Sequence, residues 1–237
     1  MCKKKTIGIL GGMGPLATAD LFRKITLLTE AETDRDHIRV YIDSNANIPD
    51  RTTAILSNGP DPVPEMASAL RNLEACGADC VIMPCNTAHY FLPRLQAMTE
   101  IPFLSILTAA AEACKTRFPG KPVGILATKG TLSAQLYQNA LGEAGVPYLI
   151  PEAEEQDALM RVIYDGVKAG KDPDAYRADL LTVVEHMMAR GAGVFLLGCT
   201  ELPLAAEAVG LTVPAVDPTA ELAKMAIRFC GFRVRTE

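Results

Sequence analysis

Lys5-Thr6-Ile7-Gly8-Ile9-Leu10 recurs as Lys121-Pro122-Val123-Gly124-Ile125-Leu126, an offset of 116 residues. Two further matches keep the same order. Gly77-Ala78-Asp79 leading to Met83-Pro84-Cys85-Asn86-Thr87 returns as Gly191-Ala192-Gly193 leading to Leu197-Gly198-Cys199-Thr200-Glu201, an offset of 114. Ile101-Pro102 returns as Val213-Pro214, an offset of 112. Matches in one order at nearly one spacing predict two similar halves. Between them, short apolar runs alternate with helical patterns. Strands are predicted over Thr6–Gly11, Val40–Asn45, Cys80–Cys85, Phe103–Leu107, Val123–Thr128, Pro147–Ile150, Val194–Cys199 and Thr212–Val216. Helices are predicted over Leu16–Glu30, Pro64–Cys76, Thr131–Ala144, Ala158–Val167 and Ala175–Ala189. A run such as Val194-Phe195-Leu196-Leu197 lacks polar alternation, as a parallel strand buried on both faces requires. The alternation of strands and helices reads as an α/β fold. The expected division is residues 1–117 plus 213–237 for the first lobe and 118–212 for the second.

The chain of 237 residues has room for one large domain or two small ones. Its 49% hydrophobic and 22% charged residues belong to a globular protein, not a disordered one. The net charge is −5, from 28 acids against 23 bases, and the longest basic run is Lys3-Lys4-Lys5. That balance argues against a nucleic-acid surface or an anionic-membrane anchor. No run approaches the roughly 18 apolar residues of a membrane-spanning helix. Lys3–Lys5, the TIGILGGMG run and Ala17-Thr18-Ala19 imitate the zones of a signal peptide. Gly11, Gly12, Gly14 and Pro15 break the apolar zone, so the segment reads as strand, turn and helix. The odd count of seven cysteines without framework spacing favours a reducing compartment, and a cytoplasmic protein is expected.

The repeat places one cysteine in each half at an equivalent spot. Cys85 and Cys199 each end a predicted buried strand just before a helix, and ligands of open α/β sheets bind beyond such carboxyl ends. Asn86 or Thr87 is expected to cap the first helix and Thr200 the second, with Pro203 inside the second helix's first turn. A helix N-terminus lowers a thiol pKa from about 8.5, so both cysteines are expected to be activated. Cys76, Cys80, Cys85 and His89 superficially resemble a zinc set. Cys80 and Cys85, however, stand five apart on one predicted strand and point to opposite faces, so no metal is expected. Cys2, Cys76, Cys114 and Cys230 read as tail, helix and core thiols. Gly12-Met13-Gly14-Pro15-Leu16-Ala17, with Asp43 ending the next strand, fits a dinucleotide fingerprint. An NAD-dependent oxidoreductase is therefore a distant alternative, one that leaves the paired cysteines unexplained.

Gly11-Gly12-Met13-Gly14-Pro15, Met83-Pro84-Cys85-Asn86-Thr87-Ala88-His89 and Gly198-Cys199-Thr200-Glu201 resemble the cofactor-independent aspartate/glutamate racemases. Ile48-Pro49-Asp50-Arg51-Thr52 and Gly166-Val167-Lys168-Ala169-Gly170 are similar to the aspartate racemase branch, and the blocks span nearly the whole chain. The resemblance implies two flavodoxin-like lobes with parallel sheets, related by a pseudo-twofold, with the active site between them. It implies a homodimer without cofactor, acting on a dicarboxylic amino acid. Cys85 and Cys199 are then the catalytic pair, while Arg51 and Lys168 hold the distal carboxylate. Met13, Asn86, Thr87, Thr128 and Thr200 are the remaining expected substrate-binding residues, and His89 and Glu201 are candidates for tuning the thiols.

The chemistry agrees with those roles. Racemisation needs a base on one face of Cα and an acid on the other, so one cysteine is thiolate while its partner is thiol. Backbone amides and hydroxyls of Asn86, Thr87 and Thr200 suit an α-carboxylate as charge builds in the transition state. An arginine fork suits bidentate carboxylate recognition, and a lysine adds a compact second charge. Lys129, in Ala127-Thr128-Lys129-Gly130-Thr131, stands where a smaller polar residue is expected; a role in specificity and a solvent-facing position both stay open. Aspartate is the leading substrate. The alternatives are a glutamate or broad-specificity racemase, a related dicarboxylate isomerase or decarboxylase, and a non-catalytic amino-acid sensor.

Overall fold

Side-chain alternation along the first strand builds a core on each of its faces. In a computed structural model describing residues 4–236, β1 (Ile7–Gly11) sends Ile7 and Ile9 into an apolar cluster with Leu21, Ile25, Cys80, Ile82, Leu222 and Ile227. Leu10 enters a second cluster with Met66, Leu70, Leu73, Val81 and Cys85. A period of two puts the clusters on opposite faces, and every residue of β1 is buried. β1 pairs in parallel with β2 (Val40–Ser44), Ile7 opposite Val40, and with β3 (Cys80–Ile82), Ile7 opposite Cys80. β4 (Phe103–Leu104) extends β3, giving the order β2-β1-β3-β4. Cys2 and Lys3, expected as a tail thiol and part of a basic run, lie outside the described residues.

The second sheet repeats that order as β6-β5-β7-β8. Here β5 (Val123–Leu126) pairs with β6 (Tyr148–Leu149) and with β7 (Val194–Leu197), and β8 (Ala215–Val216) pairs with β7, all in parallel. β5 and β7 are wholly buried, and Leu126, Phe195 and Leu197 join Leu159, Ile163, Leu180 and Val184 in one core. The chain divides into Met1–Ala109 with Thr219–Glu237, and Ala110–Pro218. The strand expected over Thr212–Val216 thus belongs to the second sheet, where Ala215 and Val216 register with Phe195 and Leu196, and not with residues 213–237 of the first lobe. Among the described residues no helix is long and apolar enough to cross a membrane.

Two predicted helices are interrupted. The one expected over Thr131–Ala144 is split into Lys129–Ser133 and Leu136–Glu143, because Gln135 adopts a left-handed conformation (φ 53°). The one expected over Ala158–Val167 begins earlier, at Ala153–Met160, and continues as a π-helical stretch, Arg161–Lys168. The expected strand Phe103–Leu107 stops at Leu104, since Ile106–Arg117 is helical.

The repeated glycines have a packing reason. A Cβ on Gly8 would come within 2.9 Å of Ala78 Cβ. On Gly124, the equivalent residue, it would meet Phe195 Cε1 at 2.8 Å and Ala192 Cβ at 3.2 Å. Ala78 and Ala192 are themselves repeat partners, so both halves use a glycine on the central strand to accept an alanine from the segment entering the next strand. Gly8→Ala should therefore destabilise the fold by about 1–3 kcal/mol through overpacking. Urea unfolding checks this: the midpoint should fall with an unchanged slope, and an unchanged midpoint would refute the packing reason.

Candidate active site

The carboxyl ends of β1 and β3 gather one set of candidate residues. Gly12 turns the chain after β1 at φ 89°, and a Cβ there would lie 2.3 Å from the Asn45 carbonyl. Gly12 N donates to Thr18 Oγ1 at 2.9 Å, which in turn donates to Gly14 O at 3.0 Å. The glycine of the dinucleotide fingerprint is thus explained by the close passage of the Asn45 backbone. Asp43, the fingerprint's acid, accepts from Asn72 Nδ2 at 2.7 Å. Met13 is buried, and its carbonyl accepts from Arg51 Nη2 at 3.2 Å. Arg51 Nη1 donates to Ile48 O at 3.3 Å and Pro49 O at 3.0 Å. The guanidinium is buried and oriented by backbone carbonyls. Asp50 accepts from Thr53 N at 2.8 Å and so caps the helix Arg51–Leu56 that carries the arginine.

Cys85 lies beyond β3, which ends at Ile82, so it is not on the strand with Cys80 as the sequence suggests. It is buried in the cluster that also holds Met13 and Ile48, whereas Cys80 is in the opposite one. A 3-10 turn, Thr87–Phe91, follows, and Asn86 at its start makes no side-chain cap. His89 holds the cysteine's main chain: its Nδ1 bonds Cys85 O at 3.0 Å, while Ile106 N donates to its Nε2 at 3.2 Å. An amide donating to Nε2 leaves the ring proton on Nδ1, so His89 is the neutral Nδ1–H tautomer. Burial pushes its pKa down to about 4, against hydrogen bonds to Cys85 and Asn86 that pull upward. His89 therefore meets the cysteine through its carbonyl.

The second set lies at the ends of β5 and β7. Cys199 is buried, and its Sγ donates to Glu201 Oε2 at 2.9 Å; Thr200 Oγ1 donates to the same oxygen at 3.3 Å. Lys168 Nζ is 3.7 Å from Glu201 Oε1 and lies over the Tyr164 ring, 4.7 Å from its centroid. The expected lowering of this thiol's pKa is reversed. Burial pushes Cys199 well above the usual thiol range and the Glu201 carboxylate adds to that, while Lys168 opposes it. Nor does Thr200 cap the following helix, Leu202–Val209: Glu201 is its N-cap residue and makes no side-chain cap, although Pro203 does occupy its first turn. Gly198 is a glycine because a Cβ would lie 2.9 Å from Tyr137 Cε2 and 3.1 Å from Leu126 O.

Thr128 caps the helix Lys129–Ser133, accepting from Thr131 N at 3.2 Å. Lys129 pairs with Asp157, and both side chains are about half exposed. This answers the open question about Lys129: its ammonium is in a solvated surface pair. The carboxyl of Asp157 is held below its ordinary range by that lysine. Among the described residues no group of three or more His, Cys, Asp or Glu is arranged to hold a metal. The Glu201–Cys199 bond was only partly legible in the sequence: the two-residue spacing was visible, the direction of the carboxylate was not.

Residues 10–226 match the model of the Asp/Glu/Hydantoin racemase family. The broad specificity amino-acid racemase RacX of Bacillus subtilis is 26% identical over 231 residues, covering 93% of this chain and 96% of the relative. A glutamate racemase of Deinococcus radiodurans is 31% identical over 164 residues, 67% of this chain and 55% of the relative. Among solved structures, the aspartate racemase of Picrophilus torridus superposes with a TM-score of 0.86 at 31% identity, over 98% of this chain and 96% of that one.

The His89 geometry sets a pH dependence of stability. A folded-state pKa near 4, against an ordinary 6.5, means that below 6.5 the unfolded chain binds a proton the native state refuses. Stability from this group is full above pH 6.5 and is lost as pH falls toward 4, by roughly 3 kcal/mol at about 1.4 kcal/mol per tenfold change in proton affinity. His89→Gln removes the titration. Urea unfolding at pH 7 and pH 4.5 should show a smaller acid loss in the variant, by about 2–3 kcal/mol. Equal losses would mean that His89 titrates normally in the folded protein.

Proposed function

The chain belongs to the Asp/Glu/hydantoin racemase family and is an amino-acid racemase, and on that premise we propose that its substrate is aspartate and that Cys85 and Cys199 are its acid–base pair. The observation that carries the proposal is the recurrence of a buried thiol just past the third strand in sequence of each sheet, in two units of identical strand order. One thiolate removes the proton from Cα, and the other thiol delivers a proton to the opposite face. After each turnover the base has become a thiol and the acid a thiolate, so the enzyme is set for the reverse direction. No cofactor enters this scheme, because Cα gives up and regains its proton directly at the two sulfurs.

The neighbours divide the labour. The raised pKa of Cys199 supports a resting thiol bonded to Glu201, a group set to act first as acid. When Cys199 must act as base, Glu201 is in contact to take its proton, and Lys168 to balance the charge. His89 positions Cys85 through its carbonyl. Arg51 and Lys168 are assigned to the distal carboxylate, and Met13, Asn86, Thr87, Thr128 and Thr200 to the rest of the substrate. Similarity to an aspartate racemase along nearly the whole chain supports aspartate. The similarity to RacX favours a broader range of amino acids as the second reading. The proposal extends to a homodimer acting in the cytoplasm, where cysteines remain free thiols.

A chiral assay of the purified, dialysed and chelated protein over the common amino acids should show aspartate turned over fastest. Requirement for pyridoxal phosphate would overturn the thiol mechanism. Cys85→Ser and Cys199→Ser should each lower racemisation by more than about 1,000-fold, or about 4 kcal/mol, because serine is a far poorer base than a thiolate. In D₂O each variant should still exchange the α-hydrogen of one enantiomer, with opposite preferences. Wild-type racemisation by either variant rules out the pair.

Arg51→Met and Lys168→Met should each cost aspartate turnover about 2–4 kcal/mol, or roughly 30- to 1,000-fold in kcat/KM, through loss of a charge-assisted bond. Unchanged kinetics in both would return these cations to structural roles.

A further inference from the structure

The helix Ala153–Met160 fastens the turn after β5 at several points. Asp157 pairs with Lys129 Nζ, and Met160 Sδ accepts from Lys129 N at 3.4 Å; both contacts are exposed. The remaining one is buried: Gln156 Nε2 donates to Ala127 O at 2.9 Å. Gln156 is only 7% exposed, and its Oε1 is a buried oxygen with no hydrogen-bond partner among the described residues. The bond to a carbonyl fixes which way the amide faces, because the reversed amide would set oxygen against oxygen. The amide is held at the carboxyl edge of the second sheet. Ala127 follows Leu126, which registers with Leu197, two residues before Cys199. Neighbouring strands lie about 4.8 Å apart, so the strand that anchors Gln156 adjoins the one that leads to the thiol.

A buried acceptor without a donor is destabilising, and an apolar residue of similar size would remove the cost. The substrate supplies a donor of only one kind. Both carboxylates of a dicarboxylic amino acid accept and cannot donate, while its α-ammonium carries three N–H groups. We infer that Gln156 Oε1 accepts a hydrogen bond from the α-ammonium of the amino-acid substrate. This rests on the racemase reading and deepens it by assigning the amino group a subsite. A neutral oxygen suits the task. The ammonium must stay protonated, since its positive charge acidifies the Cα–H bond, and an amide oxygen does not take the proton. A site built to bond the amine also disfavours dicarboxylates that lack it.

Calorimetric affinities for aspartate and for succinate, which carries the same two carboxylates without the amine, test the assignment in the wild type and in Gln156→Met. The variant should lose about tenfold or more in aspartate affinity, while succinate binding changes by less than about twofold. A role confined to holding Ala127 would weaken both ligands alike, and that result overturns the assignment. Gln156→Glu keeps an oxygen acceptor and loses the donor to Ala127. Its aspartate-to-succinate ratio should be at least that of the wild type, and a ratio that falls refutes the subsite even if the Met variant does not fold. A wild type that turns over aspartate while neither variant moves the ratio removes Gln156 alone. A wild type that neither binds nor racemises any amino acid removes the racemase reading with it.

Discussion

A strand buried on both faces has no side left for chemistry. β1, β5 and β7 are wholly buried, and a charged or hydrogen-bonding side chain on either face of them would face an apolar core at a cost no neighbour there can offset. The candidate site residues are therefore displaced to the strand ends. Met13 follows β1, Cys85 follows β3, Thr128 follows β5 and Cys199 follows β7. The turns that receive them are cramped by the same packing. Gly12 yields to the Asn45 backbone, and Gly198 to Tyr137 and Leu126. Close packing of the sheets and placement of the thiols are thus one constraint.

The two thiols have equivalent places but different surroundings. Near Cys85 the titratable neighbour, His89, is locked by two backbone contacts into a neutral tautomer with a pKa near 4. Near Cys199 the neighbour is a carboxylate in direct contact with sulfur, countered by Lys168. Enantiomers have equal free energies, so such asymmetry cannot change the ratio of catalytic efficiencies in the two directions. In the proposed mechanism it acts on the resting protonation state and on how the barrier divides between the two proton transfers. Catalytic groups with unequal environments hold a single proton more definitely than two identical ones would.

The helical arm of residues 153–168 joins the scaffold to these groups. At its start it anchors the Ala127–Lys129 turn through Gln156, Asp157 and Met160. At its end, on the last residue of the π-helical stretch, it presents Lys168 to Glu201. Widened helical turns of this kind frequently mark functional sites, because they re-aim side chains that a regular helix would send elsewhere.

By itself the sequence determined the class of fold, the eight strands to within a few residues, the internal repeat, the two cysteines and the family blocks that carry them. Those features are written in local periodicity and in spacing along the chain, and burial on one or both faces is legible from a handful of consecutive residues. It misjudged the expected caps at Asn86 and Thr200, the lowered pKa at Cys199, the unbroken helix over Thr131–Ala144 and the lobe that takes the last strand. The tertiary structure alone decided that Lys129 turns to Asp157, that His89 serves a carbonyl, that Glu201 meets Cys199, and that Gln156 reaches Ala127. Each of these outcomes depends on the direction of a side chain, and several on a partner some thirty positions away. No periodicity records such choices, because the direction of a side chain is fixed by the neighbours that folding brings beside it.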